Sequence, residues 1–126
     1  MATLLDANAI LRYLLEDNEE QAEKTATTIR EGAEVTVEVL AECVYVLQGV
    51  YGVSRAMVAE SLGLLLDETD CRRKTVALEA LGLYSGSGLD FVDCVLAAEH
   101  DACGHKVLTF DKKLKALMRR LDEAAL

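Results

Sequence analysis

Acidic residues follow two short apolar segments of the chain, at positions where a parallel sheet would bring their side chains to one edge. Asp6 comes directly after segment 2–5, and Asp111 comes directly after segment 107–110. In open parallel sheets, ligands bind outside the carboxyl ends of the strands. We therefore expect Asp6 and Asp111 to lie at an edge of the sheet where a ligand binds.

Three further acids have spacings that fit the same place. Asp90 and Asp93 are three residues apart, so both side chains share a face at the start of a predicted helix. Glu42 lies about one turn from the start of another, otherwise apolar helix, where apolar neighbours crowd around it. Because a carboxylate in such surroundings is costly when unpaired, Glu42 is predicted to have a base or a metal ion as its partner.

This set of donors favours a hard cation, because it contains carboxylate oxygens and neither His nor Cys. Mg²⁺ typically takes one or two carboxylates and keeps several waters, so Mg²⁺ or Mn²⁺ is the expected ion. Such a cation lowers the pKa of a bound water and stabilises charge during in-line attack on a phosphodiester, which is nuclease chemistry. The spacing alone does not decide the matter, since acids also favour helix starts and turns.

The elements that must position these acids follow from the apolar pattern. It predicts three strands, at 2–5, 35–37 and 106–110. Apolar periodicity, cap residues and Gly32 predict helices at about 10–15, 18–30, 39–50, 54–66, 75–84 and 90–103, followed by a last helix. This order implies an α/β fold, a three-layer α/β/α sandwich with a short parallel sheet. Since no linker divides the chain, residues 1–126 are expected to form a single domain.

Composition excludes several classes of protein. A chain of 126 residues with 52% hydrophobic residues has the make-up of a globular domain with a full core, and not of a disordered or fibrous protein. The longest stretch without a charged residue, 43–54, has 12 residues, whereas a membrane span needs about 20 apolar residues. The start of the chain has no basic segment and reaches Asp6 early, so no secretory signal is expected and the cytoplasm is the predicted location.

The cysteines and histidines are expected to have no role in the chemistry. The four cysteines lie far apart. They form no C-x-x-C pair, and we expect no His at ligand spacing from any of them, so a zinc site is not expected. Reduced cysteines that fill the core are the favoured interpretation. His100 and His105 flank a glycine turn and are expected to be surface residues rather than a general base.

Charge is unevenly distributed. The net charge of −9 taken alone argues against a protein that binds nucleic acid by charge. Residues 1–70 carry 4 bases and 14 acids, whereas residues 71–126 carry 9 bases and 8 acids. Six of those bases and only one acid fall within 106–120. This basic run is either a solvated helix face or a surface that contacts phosphates.

Four segments together resemble a known family. They are 5–15 (LDANAILRYLL), 39–47 (VLAECVYVL), 90–97 (DFVDCVLA) and 108–113 (LTFDKK). Their residues and their order along essentially the whole chain are similar to PIN-domain proteins of the VapC toxin type. Each segment alone is a weak signal, but their conjunction is specific. The resemblance implies a PIN domain and a metal-dependent endoribonuclease.

The resemblance also implies a set of site residues. The family's acidic quartet falls on Asp6 in L-D-x-N, Glu42 in L-x-E, Asp93 in F-x-D and Asp111 in T-F-D. These four residues are the expected catalytic residues and ligands of Mg²⁺ or Mn²⁺.

Three polar residues are expected to lie beside the ligands. Asn8 and Thr109 match polar positions next to the first and last acids, where they bond either a carboxylate, a metal-bound water or the local turn. Asp90 reads with Ser87 as an S-x-x-D variant of the capping box, which favours a structural role over metal contact.

Partners follow from the same resemblance. Arg12 is expected to pair with an acid or contact phosphate, and Lys112, Lys113 and Lys115 to bind RNA. Proteins of this class resemble the toxin half of a toxin–antitoxin pair, which implies an antitoxin protein as partner and a homodimer. Single-stranded or loop RNA is the expected substrate, because the scissile phosphate must enter a carboxylate cleft that a regular duplex does not easily fill. The family's final edge strand has no clear counterpart after residue 117.

Two other classes of function share features with this sequence. A receiver-like phosphoacceptor also binds Mg²⁺, but the acidic pair beside the first strand and the acceptor after a middle strand that it needs are not present. A catalytically weak binding module with the same fold stays open, because a net charge of −9 is poor for RNA affinity.

Overall fold

The structure is a computed structural model that describes residues 2–126. The chain forms two compact units, Met1–Lys74 and Thr75–Leu126. The first contains strand β1 (Thr3–Leu4), helices α1 (Ala7–Leu15) and α2 (Glu19–Glu31), strand β2 (Ala33–Glu34), and helices α3 (Val37–Gly49) and α4 (Arg55–Glu68). The second contains α5 (Lys74–Gly86, whose first residue closes the first unit), α6 (Phe91–Cys103) and α7 (Lys112–Ala124). Over residues 2–126, no helix has the length and apolar character needed to cross a membrane.

A short parallel sheet organises the first unit. β1 pairs with β2 in the register Thr3↔Ala33 and Leu4↔Glu34, and Asp70 adds a parallel bridge to Glu34. The parallel sheet and the helices around it confirm the α/β prediction. The second strand lies two residues earlier than predicted, because the hydroxyl of Thr36 accepts the N–H of Val39 at 3.2 Å and thereby starts α3.

Side-chain caps set the helix starts of this unit. Asn18 accepts the N–H of Gln21 at 3.0 Å before α2, and Ser54 accepts the N–H of Met57 at 3.3 Å before α4, so both predicted starts are confirmed. Gly32 ends α2 as predicted, with a φ of +116° that other residues rarely adopt. The fully buried side chains come from α1, β2's end, α3 and α4: Ile10, Val35, Leu40, Cys43, Val58, Leu62, Leu65 and Leu66.

The second unit is helical. α6 packs against α7, and the rings of Tyr84 and Phe91 meet edge to face with centroids 6.2 Å apart. Cys94 and Leu114 are fully buried in this unit. The side chain of Asp111 accepts the N–H of Leu114 at 2.9 Å and starts α7.

The predicted third strand is wrong. Residues 104–111 form no strand, and the side chains of Leu108 and Phe110 are each 86% exposed. Alternation of residues makes a strand only where a neighbour supplies backbone hydrogen bonds and covers one face. Segment 106–110 has the alternation without such a neighbour, so the sheet within residues 2–126 has two strands and not three. The chain after 117 continues as α7, which agrees with the missing final edge strand.

Candidate metal centre

Asp6 stands where β1 leads into α1. Its Oδ1 accepts the N–H of Ala9 at 2.8 Å, so the carboxylate caps the helix. Its side chain is exposed. A capping carboxylate uses one oxygen for the backbone and can present the other to a cation, and the helix N-terminus favours its negative charge. The cap therefore fixes Asp6 without excluding it from metal binding.

The negative charges of Glu42 and Asp6 both act on the thiol of Cys43. Burial raises the pKa of the Cys43 thiol to about 12, with further contributions from the negative charges of Glu42 and then Asp6. Both carboxylates thus act on the same buried thiol of the first unit. Glu42 itself is exposed, so the prediction that apolar neighbours crowd around it is wrong. Helical rotation sends Cys43 into the core and Glu42 to the surface.

Asp93 has two acidic neighbours in the second unit. Its side chain is half-buried in the first turn of α6. Burial raises the pKa of the Asp93 carboxyl, and the charges of Asp111 and then Asp90 raise it further. The structure therefore brings two carboxylates of this unit, those of Asp111 and Asp90, within electrostatic range of Asp93. Such mutual repulsion favours a proton or a cation among them.

Asp90 does not belong to the predicted capping box. α6 begins after Asp90, which occupies the cap position, and its carboxylate makes no hydrogen bond to the helix end. The hydroxyl of Ser87 instead accepts the N–H of Leu89 at 3.4 Å. The S-x-x-D interpretation is wrong because the chain becomes helical only at Phe91, three residues too late for Ser87 to act as the cap.

The polar residues beside the acids differ in their contacts. Thr109 accepts the backbone N–H of Asp111 at 3.1 Å, which is the local turn bond and not a contact with a carboxylate. Asn8 is exposed, and it lines with Asp6 and Arg12 a cleft of about 380 Å³ in the first unit. Asn8 is therefore placed to contact a ligand next to Asp6.

The predicted RNA-binding bases, Arg12 and the lysines of α7, have different surroundings. Arg12 pairs with Asp17 at 3.0 Å through Nη1 and donates through Nη2 to the Tyr51 hydroxyl at 3.4 Å, so its pairing with an acid is realised. The first turns of α7 carry three exposed lysines, Lys112, Lys113 and Lys115. The Nζ of Lys115 lies 6.0 Å from the centroid of the Phe110 ring. The lysines form a basic surface that follows Asp111 directly.

Two clusters of ionisable groups in the second unit escaped the sequence analysis. Glu99, Cys103 and His105 bring their potential ligand atoms within 4.8 Å of one another, so the prediction of no His at ligand spacing is wrong for Cys103. Burial and a hydrogen bond to Asp101 raise the pKa of Glu79 to about 7. The i, i+4 spacing of Glu99 and Cys103 was a usable signal for the first cluster, whereas nothing local indicated the second.

Comparison with known proteins identifies the family of the chain. A model of the PIN domain matches residues 3–119, a span that includes the four predicted acids and most of each unit. Searches of curated proteins and of solved structures gave no significant match. PIN domains are generally nucleases and typically use divalent metals. Because this match covers almost the whole chain, the chain belongs to the PIN domain family.

Proposed function

We propose that the protein is a metal-dependent endoribonuclease whose cation is Mg²⁺ or Mn²⁺. The proposed ligands are the four acids that the family resemblance implies: Asp6, Glu42, Asp93 and Asp111. One observation carries the proposal above the others. Burial raises the pKa of the Asp93 carboxyl in F-x-D, and the charge of Asp111 in T-F-D raises it further. Two of the expected ligands therefore share one electrostatic environment.

The donor set fits a hard divalent cation. All four proposed ligands are carboxylates, and carboxylate oxygens are what Mg²⁺ and Mn²⁺ prefer. The charges that raise the pKa of Asp93 are the repulsion that a divalent cation relieves. A bound cation would supply an activated water and would stabilise the charge of the phosphodiester under attack.

The chain's own residues have distinct tasks in this proposal. Asp6 and Asp111 are held by helix N–H groups, so each carboxylate has a fixed direction. Asn8 lines the cleft beside Asp6 and can orient a phosphate or a water there. Lys112, Lys113 and Lys115 bind backbone phosphates of single-stranded or loop RNA, because their side chains are exposed beside Asp111.

The biological setting that we propose rests on the resemblance of the four sequence segments to VapC-type toxins. The protein would act in the cytoplasm as the toxin of a toxin–antitoxin pair, would be held inactive by an antitoxin protein, and would pair as a homodimer. The second candidate is a binding module with little catalytic activity, which the net charge of −9 favours because that charge opposes RNA affinity.

Cleavage of a labelled single-stranded RNA by chelator-treated protein separates the two candidates. We expect cleavage only after Mg²⁺ or Mn²⁺ is added, and Asp93→Asn should reduce the rate by well over about tenfold, which is roughly 1.4 kcal/mol in barrier. Asp67→Asn, at an exposed position of α4, is the matched control and should cleave like the parent. A rate for Asp93→Asn within about tenfold of the parent would remove Asp93 from the metal site. Absence of metal-dependent cleavage in the parent would favour the binding module.

A further inference from the structure

Three side chains of different chemistry meet at the end of α6. The carboxylate of Glu99, the thiol of Cys103 and the imidazole of His105 each offer a ligand atom within 4.8 Å of the other two. The Cys103 Sγ lies 3.6 Å from Glu99 Oε1. Cys103 and His105 are exposed and Glu99 is half-buried, so an ion can reach all three from solvent. Carboxylate, thiolate and imidazole are the donor types that zinc sites use.

The local backbone explains why these residues meet. Glu99 and Cys103 are four residues apart in α6 and share one helix face. Gly104 ends the helix with a φ of +73°, the left-handed conformation that glycine adopts without strain. Its N–H donates to the carbonyl of His100 at 3.1 Å, and the N–H of His105 donates to the carbonyl of Glu99 at 3.4 Å. The turn therefore brings His105 back over the last turn of α6.

His100 holds this turn from a second side. Its Nδ1 lies 2.8 Å from the carbonyl oxygen of His105, and its Nε2 lies 2.8 Å from Oδ1 of Asp122 in α7. These contacts raise the pKa of His100, since both partners are hydrogen-bond acceptors and Asp122 is negative. The backbone of His105 is thereby tied to α6 and, through Asp122, to α7. A site with such support loses less entropy when an ion binds.

We propose that Glu99, Cys103 and His105 form a binding site for a thiophilic divalent cation, with Zn²⁺ as the ion whose ligand preferences fit best. Three protein ligands would leave a fourth position for water or an external donor, as in open zinc sites. Mg²⁺ does not suit this set, because it prefers oxygen ligands to thiolate and imidazole. Binding converts the Cys103 thiol to a thiolate and releases its proton to solvent. The site is distinct from the carboxylate centre proposed for RNA cleavage, and it does not rest on that function.

Cobalt is the probe that reports the sulfur ligand directly. The full-length protein, reduced and treated with a chelator, is titrated with Co²⁺ while the near-ultraviolet absorption from thiolate-to-cobalt charge transfer is recorded. We expect the band to saturate at one Co²⁺ per chain and to disappear when Zn²⁺ is added. Cys71→Ser, which removes a half-buried cysteine of the first unit, is the matched control and should keep the band. Cys103→Ser should lose it, and His105→Gln and Glu99→Gln should weaken Zn²⁺ binding by at least about tenfold.

A second measurement uses the unaltered protein and needs no variant to fold. Alkylation of each cysteine is followed by mass spectrometry of its peptide, with and without Zn²⁺. We expect Zn²⁺ to slow alkylation of Cys103 by at least about tenfold and to leave Cys71 unchanged, because the metal-bound thiolate is shielded. Absence of the cobalt band in the parent, its persistence in Cys103→Ser, or equal alkylation of Cys103 with and without Zn²⁺ would overturn the proposal. A band that survives in the double variant Asp6→Asn with Asp93→Asn separates this site from the carboxylate centre.

Discussion

Each of the two units contains one proposed ligand that caps a helix and one that lies within a helix. The contacts that hold the capping acid differ between the units. In the first unit, Asp6 follows β1, which is paired in the sheet, and caps α1. In the second unit, Asp111 follows a segment that forms no strand, and it is held by its cap of α7 and by the turn bond to Thr109. Helix capping is therefore the common device that directs both carboxylates, and strand pairing supports only one of them.

The units also differ in charge. Met1–Lys74 has 7 bases against 14 acids, a net of −7, whereas Thr75–Leu126 has 6 bases against 8 acids, a net of −2. The exposed lysines that follow Asp111 belong to the less acidic unit. If RNA is bound by charge, the second unit should therefore supply most of the phosphate contacts.

Replacing Lys112, Lys113 and Lys115 by Gln tests this difference with the largest expected effect. RNA binding should weaken, and the slope of log affinity against log salt should fall by about 0.7 for each lost contact, or about 2 in total. Filter binding or fluorescence anisotropy over a range of salt concentrations measures it. An unchanged slope would assign the lysines to a solvated face and place RNA docking elsewhere.

Substitution of the two capping acids compares the devices that hold them. Asp6→Ala and Asp111→Ala should each lower the free energy of unfolding by about 1 kcal/mol, because each removes a helix cap. Asp6→Asn and Asp111→Asn should cost much less, since Asn caps a helix about as well as Asp. Urea unfolding without added metal measures all four. If Asp111→Ala is no less stable than Asp111→Asn, the cap does not hold the acid of the second unit.

The pH dependence of stability should show the smallest effect, and it arises from Glu79. Its pKa is raised from 4.5 to about 7 in the folded protein, so the folded state binds more protons between those values. Stability should therefore fall as pH rises from about 4.5 through about 7. Glu79→Gln keeps a hydrogen-bonding amide and should flatten this dependence, with a melting temperature a few degrees above the parent at pH 8 and similar to it at pH 4. Thermal scans across pH that show equal slopes for both proteins would contradict this assignment.

Features set by nearby residues could be predicted from the sequence. Asn18 and Ser54 start helices as expected because a side-chain cap needs only the N–H three residues later. The absence of a strand at 106–110 could not be predicted, since strand formation depends on a partner distant in sequence. Burial of Glu42 was misjudged because the apolar composition of α3 conceals which side of the helix faces the core.

In the candidate site, too, some features follow from the local sequence and others do not. The motifs predict Asp6, Glu42, Asp93 and Asp111 as ligands, which stays a prediction, whereas composition alone leaves their role open. The group of Glu99, Cys103 and His105 was missed because a left-handed turn at Gly104 brings His105 back to the helix, and linear spacing does not show that turn. The pair of Glu79 and Asp101 joins two helices, so no local signal predicts it.

The central proposal is that carboxylates of the family's acidic quartet hold the catalytic cation, and Mn²⁺ affinity tests it most directly. Glu42→Gln in the first unit and Asp93→Asn in the second alter carboxylates that cap no helix, so both variants should fold like the parent. Glu38→Gln and Asp67→Asn, which alter exposed acids outside the proposed ligand set, serve as charge-matched controls.

Isothermal titration with Mn²⁺ should give at least about tenfold weaker binding for each of Glu42→Gln and Asp93→Asn, and unchanged binding for both controls, because a lost ligand costs at least as much as a lost supporting contact. Parent-like affinity in either Glu42→Gln or Asp93→Asn would remove that residue from the proposed ligands and would contradict the account.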